Sequence, residues 1–203
     1  MIDISGKIIN KLRNLRLSLL ELSSTALMFF ILLVKGIKAG KGVRFWGLAY
    51  IVRNPESSIV IGNGSSFRSD SKSNLIGVNR KCILSTHNKK AQLIIGTNCG
   101  FSGTVIGAKE KIIIGNNVLC GANSLITDFD WHGIEPGQRL EYSGDSKEIL
   151  IGDNVFIGYG VVILKGVTIG ENSVIGANSV VTKSVPANVI AGGNPCKVIK
   201  TLS

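Results

Sequence analysis

Residues 151–186 read IGDNVF, IGYGVV, ILKGVT, IGENSV, IGANSV, VTKSVP, which are six consecutive groups of six residues built on one pattern. An aliphatic residue opens each group, glycine usually follows it, and the fifth place is small or β-branched. A period of six with one large and one small inward position describes a flat strand followed by a turn. Three such sides close a coil of about 18 residues, so the sequence predicts stacked coils around one aliphatic core.

The same pattern extends upstream as IGNNVL, CGANSL, ITDFDW over residues 114–131, and more weakly at 95–100, 101–106 and 61–66. The stretch 72–90 breaks the register, and we interpret His87 within it as a loop residue. We predict that the opening residues point inward: Ile114, Ile126, Ile151, Ile157, Ile163, Ile169, Ile175 and Val181. Cys99 and Cys120 also fall at inward places, where a free thiol behaves as a small core hydrophobe.

These hexads, together with the closing sequence VIAGGNPCKVIK at 189–200, resemble the hexapeptide-repeat acyltransferases, and among them the sugar and polysaccharide O-acetyltransferases. The resemblance covers roughly residues 59–200 and implies an all-β fold, a left-handed parallel β-helix. We expect an N-terminal helical segment over 1–50 and the β-helix over 51–190. An excursion loop at 132–150 interrupts the β-helix, and a C-terminal tail occupies 191–203.

The hexad register stops at Trp131 and resumes at Ile151, and the residues between must loop out of the coil. Long loops on rigid scaffolds tend to carry function. His132 opens this excursion, and an imidazole suits a general base for a hydroxyl nucleophile. Asp128 or Asp130 is expected to orient it, and the sequence leaves both open. The string ITDFDWHGIEP resembles the catalytic segment of sugar O-acetyltransferases, where the matching histidine deprotonates the acceptor hydroxyl for direct attack on acetyl-CoA.

The resemblance implies further roles in the acceptor site. The backbone N–H of Tyr159 matches the donor that stabilises the developing oxyanion. Phe156 matches an aromatic residue beside the acceptor pocket, and Ser102 matches a position that contacts the acceptor. Arg139 suits an anionic sugar or its phosphate, or is a solvated loop charge. We also place Asp128 and Trp131 among the acceptor-binding residues.

The resemblance further implies that acetyl-CoA lies along the last coils, as a cosubstrate and without a metal. Small side chains there let the cofactor approach the backbone, and lysines suit its phosphates. The matching positions are Gly158, Gly176, Ala177, Thr182, Lys183, Pro195, Lys197 and Lys200. Family members form active sites between the subunits of a homotrimer, so the expected partners are further copies of this chain and a saccharide acceptor.

The net charge of +10 and the pI near 9.6 raise the question of a nucleic-acid partner. Residues 1–53 hold nine basic and two acidic side chains, whereas 54–150 hold ten and nine. Residues 54–150 are so close to neutral that they would attract a nucleic-acid duplex only weakly. The sequence also contains neither a base-reading helix nor an RNA-stacking pattern. We therefore expect no nucleic-acid partner.

The N-terminal segment places Ile8, Leu12, Leu15 and Leu19 at helical spacing, and an uncharged run follows at 22–34. That run is shorter than the ~20 residues a spanning helix needs. Two interpretations stay open: helices that pack beside the main body, or an element on an anionic membrane surface. The four cysteines form no CxxC pair, which favours a reduced, cytoplasmic setting, with peripheral contact at the inner face of the membrane under the second interpretation.

The preferred function is therefore O-acetylation of a sugar hydroxyl in a bacterial-type surface polysaccharide, such as a capsule or O-antigen, or in its precursor. The alternative is N- or O-acetylation of a small acceptor, such as a nucleotide-amino sugar, an amino acid or an antibiotic. A three-histidine zinc enzyme on the same scaffold is excluded, because the chain has two histidines. A non-catalytic β-helix would not need the excursion or the tail.

Overall fold

The structure is a computed structural model, and it describes residues 4–140 and 144–202. Helix α1 spans Ile4–Val34 and is followed by a three-sided parallel β-helix. Each turn of the chain adds one strand to each of three sheets, which we name sheets A, B and C. The predicted all-β coil with an N-terminal helical segment is confirmed.

Within each sheet the strands stack in chain order. Sheet A contains β1 (Lys38–Ala39), β4 (Ser58–Ile61), β7 (Gln92–Ile95), β10 (Lys111–Ile114), β13 (Ile149–Ile151) and β16 (Thr168–Ile169). Sheet B contains β2 (Arg44–Trp46), β5 (Ser66–Arg68), β8 (Gly100–Ser102), β11 (Leu119–Cys120), β14 (Phe156–Ile157), β17 (Val174–Ile175), β19 (Val189–Gly192) and β20 (Lys197–Thr201). Sheet C contains β3 (Tyr50–Val52), β6 (Ile83–Thr86), β9 (Val105–Ala108), β12 (Leu125–Thr127), β15 (Val162–Ile163) and β18 (Val180–Val181).

The hexad pattern sets the core as predicted. Every opening aliphatic residue from Ile114 to Val181 is buried, and so is every residue at the fifth place from Val118 to Val185 except Asp130. Cys99 and Cys120 are buried free thiols in this core. Burial raises the pKa of Cys120 to about 12, so this thiol stays protonated and acts as packing rather than as a nucleophile.

Asparagines make the turns at the corner between sheets A and B. Five of them adopt left-handed backbone angles, and their side chains hydrogen-bond from one coil to the next at 2.9 to 3.5 Å. Asparagine tolerates this conformation better than other non-glycine residues. The members of this ladder are Asn98, Asn117, Asn154, Asn172 and Asn188.

The upstream coils are filled by larger side chains than the downstream coils. Phe45, Phe67 and Phe101 stack inside sheet B with ring centroids 5.0 and 5.2 Å apart. Cys120 and Ile157 occupy the next places of the same column. The first coil begins at Lys38, upstream of the expected boundary at residue 51, because aromatic core residues replace the recognisable hexads there.

Helix α1 is one continuous helix, and it packs on the first coil through its second half. Ser24, Met28 and Leu32 are buried on this face. The hydroxyls of Ser24 and Thr25 accept hydrogen bonds from the backbone N–H groups of Gly47 and Phe45, at 3.1 and 3.0 Å. The opposite face remains exposed, and the helix is long and apolar enough to cross a membrane.

Candidate active site

The excursion leaves the coil at the corner between sheets C and A, which we call the C/A corner. Its two arms pair briefly before the loop opens: Phe129 bridges Ser146, and the N–H of Asp130 donates to the carbonyl of Asp145 at 3.0 Å. Gly144 fits closely between them, since a Cβ there would lie 2.3 Å from the Cβ of Asp130. The base of the loop is therefore ordered by backbone pairing.

His132 lies just beyond this paired base. Its Nδ1 is 2.9 Å from the carbonyl oxygen of Arg139, which follows the 3-10 turn Pro136–Gln138. A carbonyl only accepts, so Nδ1 donates this hydrogen bond, and in the neutral imidazole the lone pair then lies on Nε2. The ring is exposed, so this lone pair is available to a ligand. The geometry suits a general base.

Asp128 serves the coil rather than the histidine. Its buried carboxylate accepts hydrogen bonds from the backbone N–H groups of Lys109, Glu110 and Lys111, at 2.7 to 2.9 Å. Burial raises the pKa of this carboxyl, and the three N–H groups oppose that rise. The predicted role of Asp128 in orienting His132 or binding the acceptor is therefore corrected: it closes the turn between β9 and β10.

Asp130 is also turned away from the predicted task. Its carboxylate forms an ion pair with Lys165, which lies in the next coil at the same corner. The group on Nδ1 of His132 is the Arg139 carbonyl instead. The sequence could not show this, because a backbone carbonyl leaves no residue-type signal. The Arg139 side chain itself is exposed on the excursion.

Trp131 lies in an aromatic cluster under the excursion. Its ring is 4.9 Å from His87 and 4.7 Å from Phe129 by centroid, and it covers Gly107 of sheet C. The Nε2 of His87 lies 2.8 Å from the Ser85 hydroxyl, and burial lowers the pKa of its imidazole. His87 follows β6 as expected of a loop residue, yet it supports Trp131.

A groove of about 340 Å³ runs along sheet B and its corner with sheet C, which we call the B/C corner. Three residues predicted for the acceptor site, Ser102, Phe156 and Tyr159, line this groove. Ser102 comes from one coil, and Phe156 and Tyr159 come from a later coil that the stacking brings into line with it. Half-exposed Phe156 and buried Ser102 give the groove one apolar and one polar wall.

The remaining wall comes from the loop of residues 69–82, which joins β5 to β6 at the same corner. Asn74 of this loop lines the groove and donates its amide to the Ser102 hydroxyl at 3.2 Å. Asn123 ties the loop down, since its amide donates to the Gly77 carbonyl at 2.7 Å. Sequence reasoning missed Arg68, Asn74 and Ile76 as groove residues, and the register break was the available signal.

The backbone at Tyr159 offers an unused donor. Within residues 4–140 and 144–202, no hydrogen bond engages the N–H of Tyr159, although its carbonyl accepts from Asn178 at 2.7 Å. The phenol accepts from the Asn123 amide at 3.2 Å. A free N–H at the edge of the groove is the type of donor that stabilises an oxyanion.

The residues predicted for the cofactor lie on the last coils and on the closing hairpin, which β19 and β20 form by antiparallel pairing. Gly158 is required by coil packing, because a Cβ there would lie 2.6 Å from the N of Ala177. Gly176 has no such neighbour, since the nearest atom lies at 3.5 Å. The polar and cyclic members are all exposed: Thr182, Lys183, Pro195, Lys197 and Lys200. Among the described residues, no three His, Cys, Asp or Glu side chains are grouped to hold a metal.

Family models and known proteins show what this chain is similar to. The model "Bacterial transferase hexapeptide (six repeats)" matches residues 148–183, and "Hexapeptide repeat of succinyl-transferase" matches residues 111–137. Protein CapG of Staphylococcus aureus is 41% identical over 118 residues, which cover 56% of this chain and 69% of CapG.

The galactoside O-acetyltransferase of Lactococcus lactis is 41% identical over 108 residues, 53% of this chain and 51% of the relative. A solved structure of galactoside acetyltransferase in complex with coenzyme A superposes with a TM-score of 0.54 at 28% identity, covering 82% of this chain and 65% of that one. The chain spans about half the length of the first curated relatives that it matches. By its repeats, its fold and these relatives, the chain belongs to the hexapeptide-repeat acetyltransferase family.

Proposed function

We propose that this protein transfers an acetyl group from acetyl-CoA to a sugar hydroxyl of a surface polysaccharide or of its precursor. The observation that carries the proposal is the orientation of His132: its Nδ1 contacts the Arg139 carbonyl at 2.9 Å, and within residues 4–140 and 144–202 no hydrogen bond engages its Nε2. The similarity to galactoside O-acetyltransferase supports a saccharide acceptor.

His132 acts as general base in this proposal. Nε2 accepts the proton of the acceptor hydroxyl while its oxygen attacks the thioester carbon. The carbon–sulfur bond breaks, and the imidazolium returns the proton to the departing sulfur. The Arg139 carbonyl stabilises the imidazolium through the Nδ1 proton, as a carboxylate does in other catalytic sites. The products are an acetyl ester and free CoA.

The B/C corner supplies the rest of the site. The unused N–H of Tyr159 donates to the thioester oxygen as its negative charge grows, which is the electrostatic term that most lowers such barriers. Ser102 and Phe156 hold the sugar by one hydrogen bond and one apolar face.

The last coils bind acetyl-CoA in this proposal, and the observed residues fit it. After Glu171 the chain contains no acidic side chain, whereas Lys183, Lys197 and Lys200 are exposed there. Such lysines suit the phosphates of the cofactor as point charges. Coil packing does not demand the glycine at 176, because a Cβ there would meet Ala191 and Gly192 only at ordinary contact distances of 3.5 and 3.7 Å. The coenzyme A complex of galactoside acetyltransferase supports the same assignment.

The site requires more than one copy of the chain. His132 emerges from the C/A corner, whereas the groove and the Tyr159 N–H lie at the B/C corner, across the width of sheet C. A cyclic homotrimer brings the C/A corner of one copy against the B/C corner of the next. Each active site then contains His132 of one copy and the groove of its neighbour.

The test is release of free CoA from acetyl-CoA in the presence of candidate oligosaccharides. His132→Ala is expected to lower kcat by about 10² to 10⁴, the usual contribution of a general base. His87→Gln removes the other imidazole and is expected to keep activity within about threefold, because that ring only supports Trp131. Full activity of His132→Ala contradicts the mechanism. Release with amino-sugar nucleotides but not with oligosaccharides replaces the proposed acceptor with a small amine.

We further propose that the protein is cytoplasmic and contacts the inner face of the membrane through α1. The exposed face of this helix carries Leu12, Leu19 and Phe30, and most of the excess positive charge lies in residues 1–53. Apolar area and basic residues together bind anionic bilayers. Deleting the helix would uncover the first coil, so Leu12→Ser/Leu19→Ser is the cleaner variant. It should reduce sedimentation with anionic liposomes, while Leu140→Ser/Ile199→Ser should not; equal binding of both contradicts the contact.

A further inference from the structure

A second cavity lies beside the acceptor groove, between helix α1 and the 69–82 loop. It measures about 370 Å³, and we call it the cationic cleft. Its lining combines three cations with apolar and small polar residues: Arg13, Arg16, Leu17, Ser71, Lys72, Asn74, Leu75 and Gly77. Arg13, Arg16 and Lys72 take no part in the proposed acetyl transfer, and their convergence on one cavity needs a reason.

The charge around the cleft is poorly compensated. Arg68 and Arg44 both lie over the Trp46 ring, at 4.0 and 5.4 Å. Burial lowers the pKa of Arg68, and the nearby positive charges of Arg44 and Arg13 lower it further, against the opposing effect of Glu21. A group of like charges that repel one another attracts an anion.

Two carboxylates lie beside a group of five cations (Arg13, Arg16, Arg44, Arg68 and Lys72), so a net positive charge remains. Glu21 lies 4.0 Å from Arg44. Asp70 accepts a hydrogen bond from the backbone N–H of Lys72 at 2.9 Å. Planar guanidinium groups bind phosphate oxygens through paired hydrogen bonds, and lysine adds a point charge. The chemistry of the cleft therefore suits a phosphate or diphosphate.

The cleft and the acceptor groove are adjacent. Asn74 lines both cavities, and its amide reaches Ser102 in the groove. Arg68 lines the groove and donates to the carbonyl of Ser73 at 2.7 Å. The 69–82 loop therefore forms one wall of the groove and one wall of the cleft. A sugar in the groove and a phosphate in the cleft would therefore lie on either side of Asn74.

The surface beyond the cleft is apolar. Leu17 and Leu75 line the cleft itself. Leu12 and Leu19 lie roughly 40 to 60° around the helix axis from Arg16, and each is more than half exposed. The exposed apolar face continues along the helix to Phe30 and Val34. An acyl or prenyl chain that leaves the cleft past Arg16 meets this face, whereas a nucleotide would place its polar sugar and base there.

We propose that the cationic cleft binds the phosphate or diphosphate of a lipid-linked saccharide, and that the saccharide is acetylated before it is released from its lipid. This assignment rests on the proposed acetyl transfer and names the acceptor class. The enzyme then acts after the glycosyl transfer that loads a sugar onto a lipid phosphate, and before the step that consumes the lipid-linked saccharide.

Binding of inorganic pyrophosphate to the full chain, measured by calorimetry, tests the cleft without turnover. Arg13→Gln/Arg16→Gln is expected to weaken pyrophosphate binding at least tenfold. Lys38→Gln/Lys41→Gln removes the same charge from the first coil and is expected to keep the affinity within about twofold. An equal loss in both variants, or no binding to the unaltered protein at millimolar pyrophosphate, overturns the cleft. These results do not depend on whether acetyl transfer occurs, so they separate the failure of the cleft from the failure of the proposed function.

Steady-state kinetics distinguishes the lipid from other sources of phosphate. We expect a long-chain alkyl diphosphate disaccharide, presented in micelles, to have a KM at least tenfold below that of the soluble disaccharide 1-phosphate and of a nucleotide diphosphate sugar. Arg13→Gln/Arg16→Gln should raise the KM of the lipid-linked acceptor and leave the KM of acetyl-CoA unchanged. Equal KM values for the lipid-linked and soluble acceptors overturn the lipid assignment.

Discussion

The two corners that flank sheet C use the same backbone fold for different chemistry. At the C/A corner the chain departs from the coil, and His132 stands on a loop whose base is fixed by backbone pairing. At the B/C corner the coils are continuous downstream, and small residues leave a groove that the 69–82 loop walls in. In the proposed mechanism the proton acceptor lies at one corner and the oxyanion donor at the other, so the proposal needs both corners for a complete active site.

Blocking the groove should have the largest effect on activity. Ser102→Trp fills the space between Asn74 and Phe156 with an indole, and we expect the CoA-release rate with a saccharide acceptor to fall at least 100-fold. The C/A corner is untouched, so the melting temperature should change little if the indole remains in the groove. Acetyl-CoA binding, measured by calorimetry, should persist. A Ser102→Trp variant with normal turnover would place the acceptor elsewhere.

Substitution of the two aspartates at the C/A corner should lower the unfolding free energy by different amounts. Asp128→Ala leaves three backbone N–H groups without their buried acceptor, and we expect a loss of about 3 kcal/mol in the unfolding free energy. Asp130→Ala removes a partly exposed ion pair with Lys165, for which about 0 to 1 kcal/mol is expected. Urea unfolding of both variants measures the difference. Similar losses would contradict the assignment of Asp128 to the turn.

Substitution of two glycines at the B/C corner of the downstream coils should also have different effects on stability. Gly158→Ala places a Cβ 2.6 Å from the backbone of Ala177, and overpacking of this kind costs about 1 to 3 kcal/mol. Gly176→Ala meets nothing closer than 3.5 Å, so its stability should match the unaltered protein while its KM for acetyl-CoA rises. Thermal melts and kinetics test the pair. Equal melting temperatures would mean that the coils relax around the added methyl group.

The smallest effect concerns pH. Burial lowers the pKa of His87 below its unfolded value near 6.5, so the unfolded chain binds a proton more readily than the folded chain. The unfolding free energy should therefore fall as the pH drops from about 6.5 through the folded-state pKa. In urea titrations at pH 7.5 and 5.5, His87→Phe should show a shallower loss than the unaltered protein. An identical loss in both would remove His87 as a source of the pH dependence.

The sequence predicted the downstream half of the molecule well, because one residue type at a fixed place is enough to specify an inward side chain. Ile157 and Val161 show this, since both are buried at their hexad places. It predicted the upstream coils poorly, because Phe45 and Phe67 fill the core there without the glycine signature. The sequence also predicted the excursion and His132, because the hexad register is interrupted there and the interruption can be read from the sequence alone.

The missing parts of the site depend on three-dimensional contacts. Asp128 and His132 are near in sequence, yet the carboxylate satisfies backbone groups of the preceding turn. Arg68 and Asn74 reach the groove only because a second loop folds over the coil corner. The spacing of residues along the sequence predicts neither of these contacts.

Complementation between two inactive variants tests most directly the claim that one active site is built from two copies. His132→Ala keeps an intact groove, and Ser102→Trp keeps an intact base. In mixed trimers assembled at equal amounts, about a quarter of the interfaces should pair the intact groove with the intact base, restoring about a quarter of the activity of the unaltered protein. Recovery of CoA release on mixing is the predicted result. No recovery, in mixtures shown to contain both chains in one oligomer, would contradict the shared site.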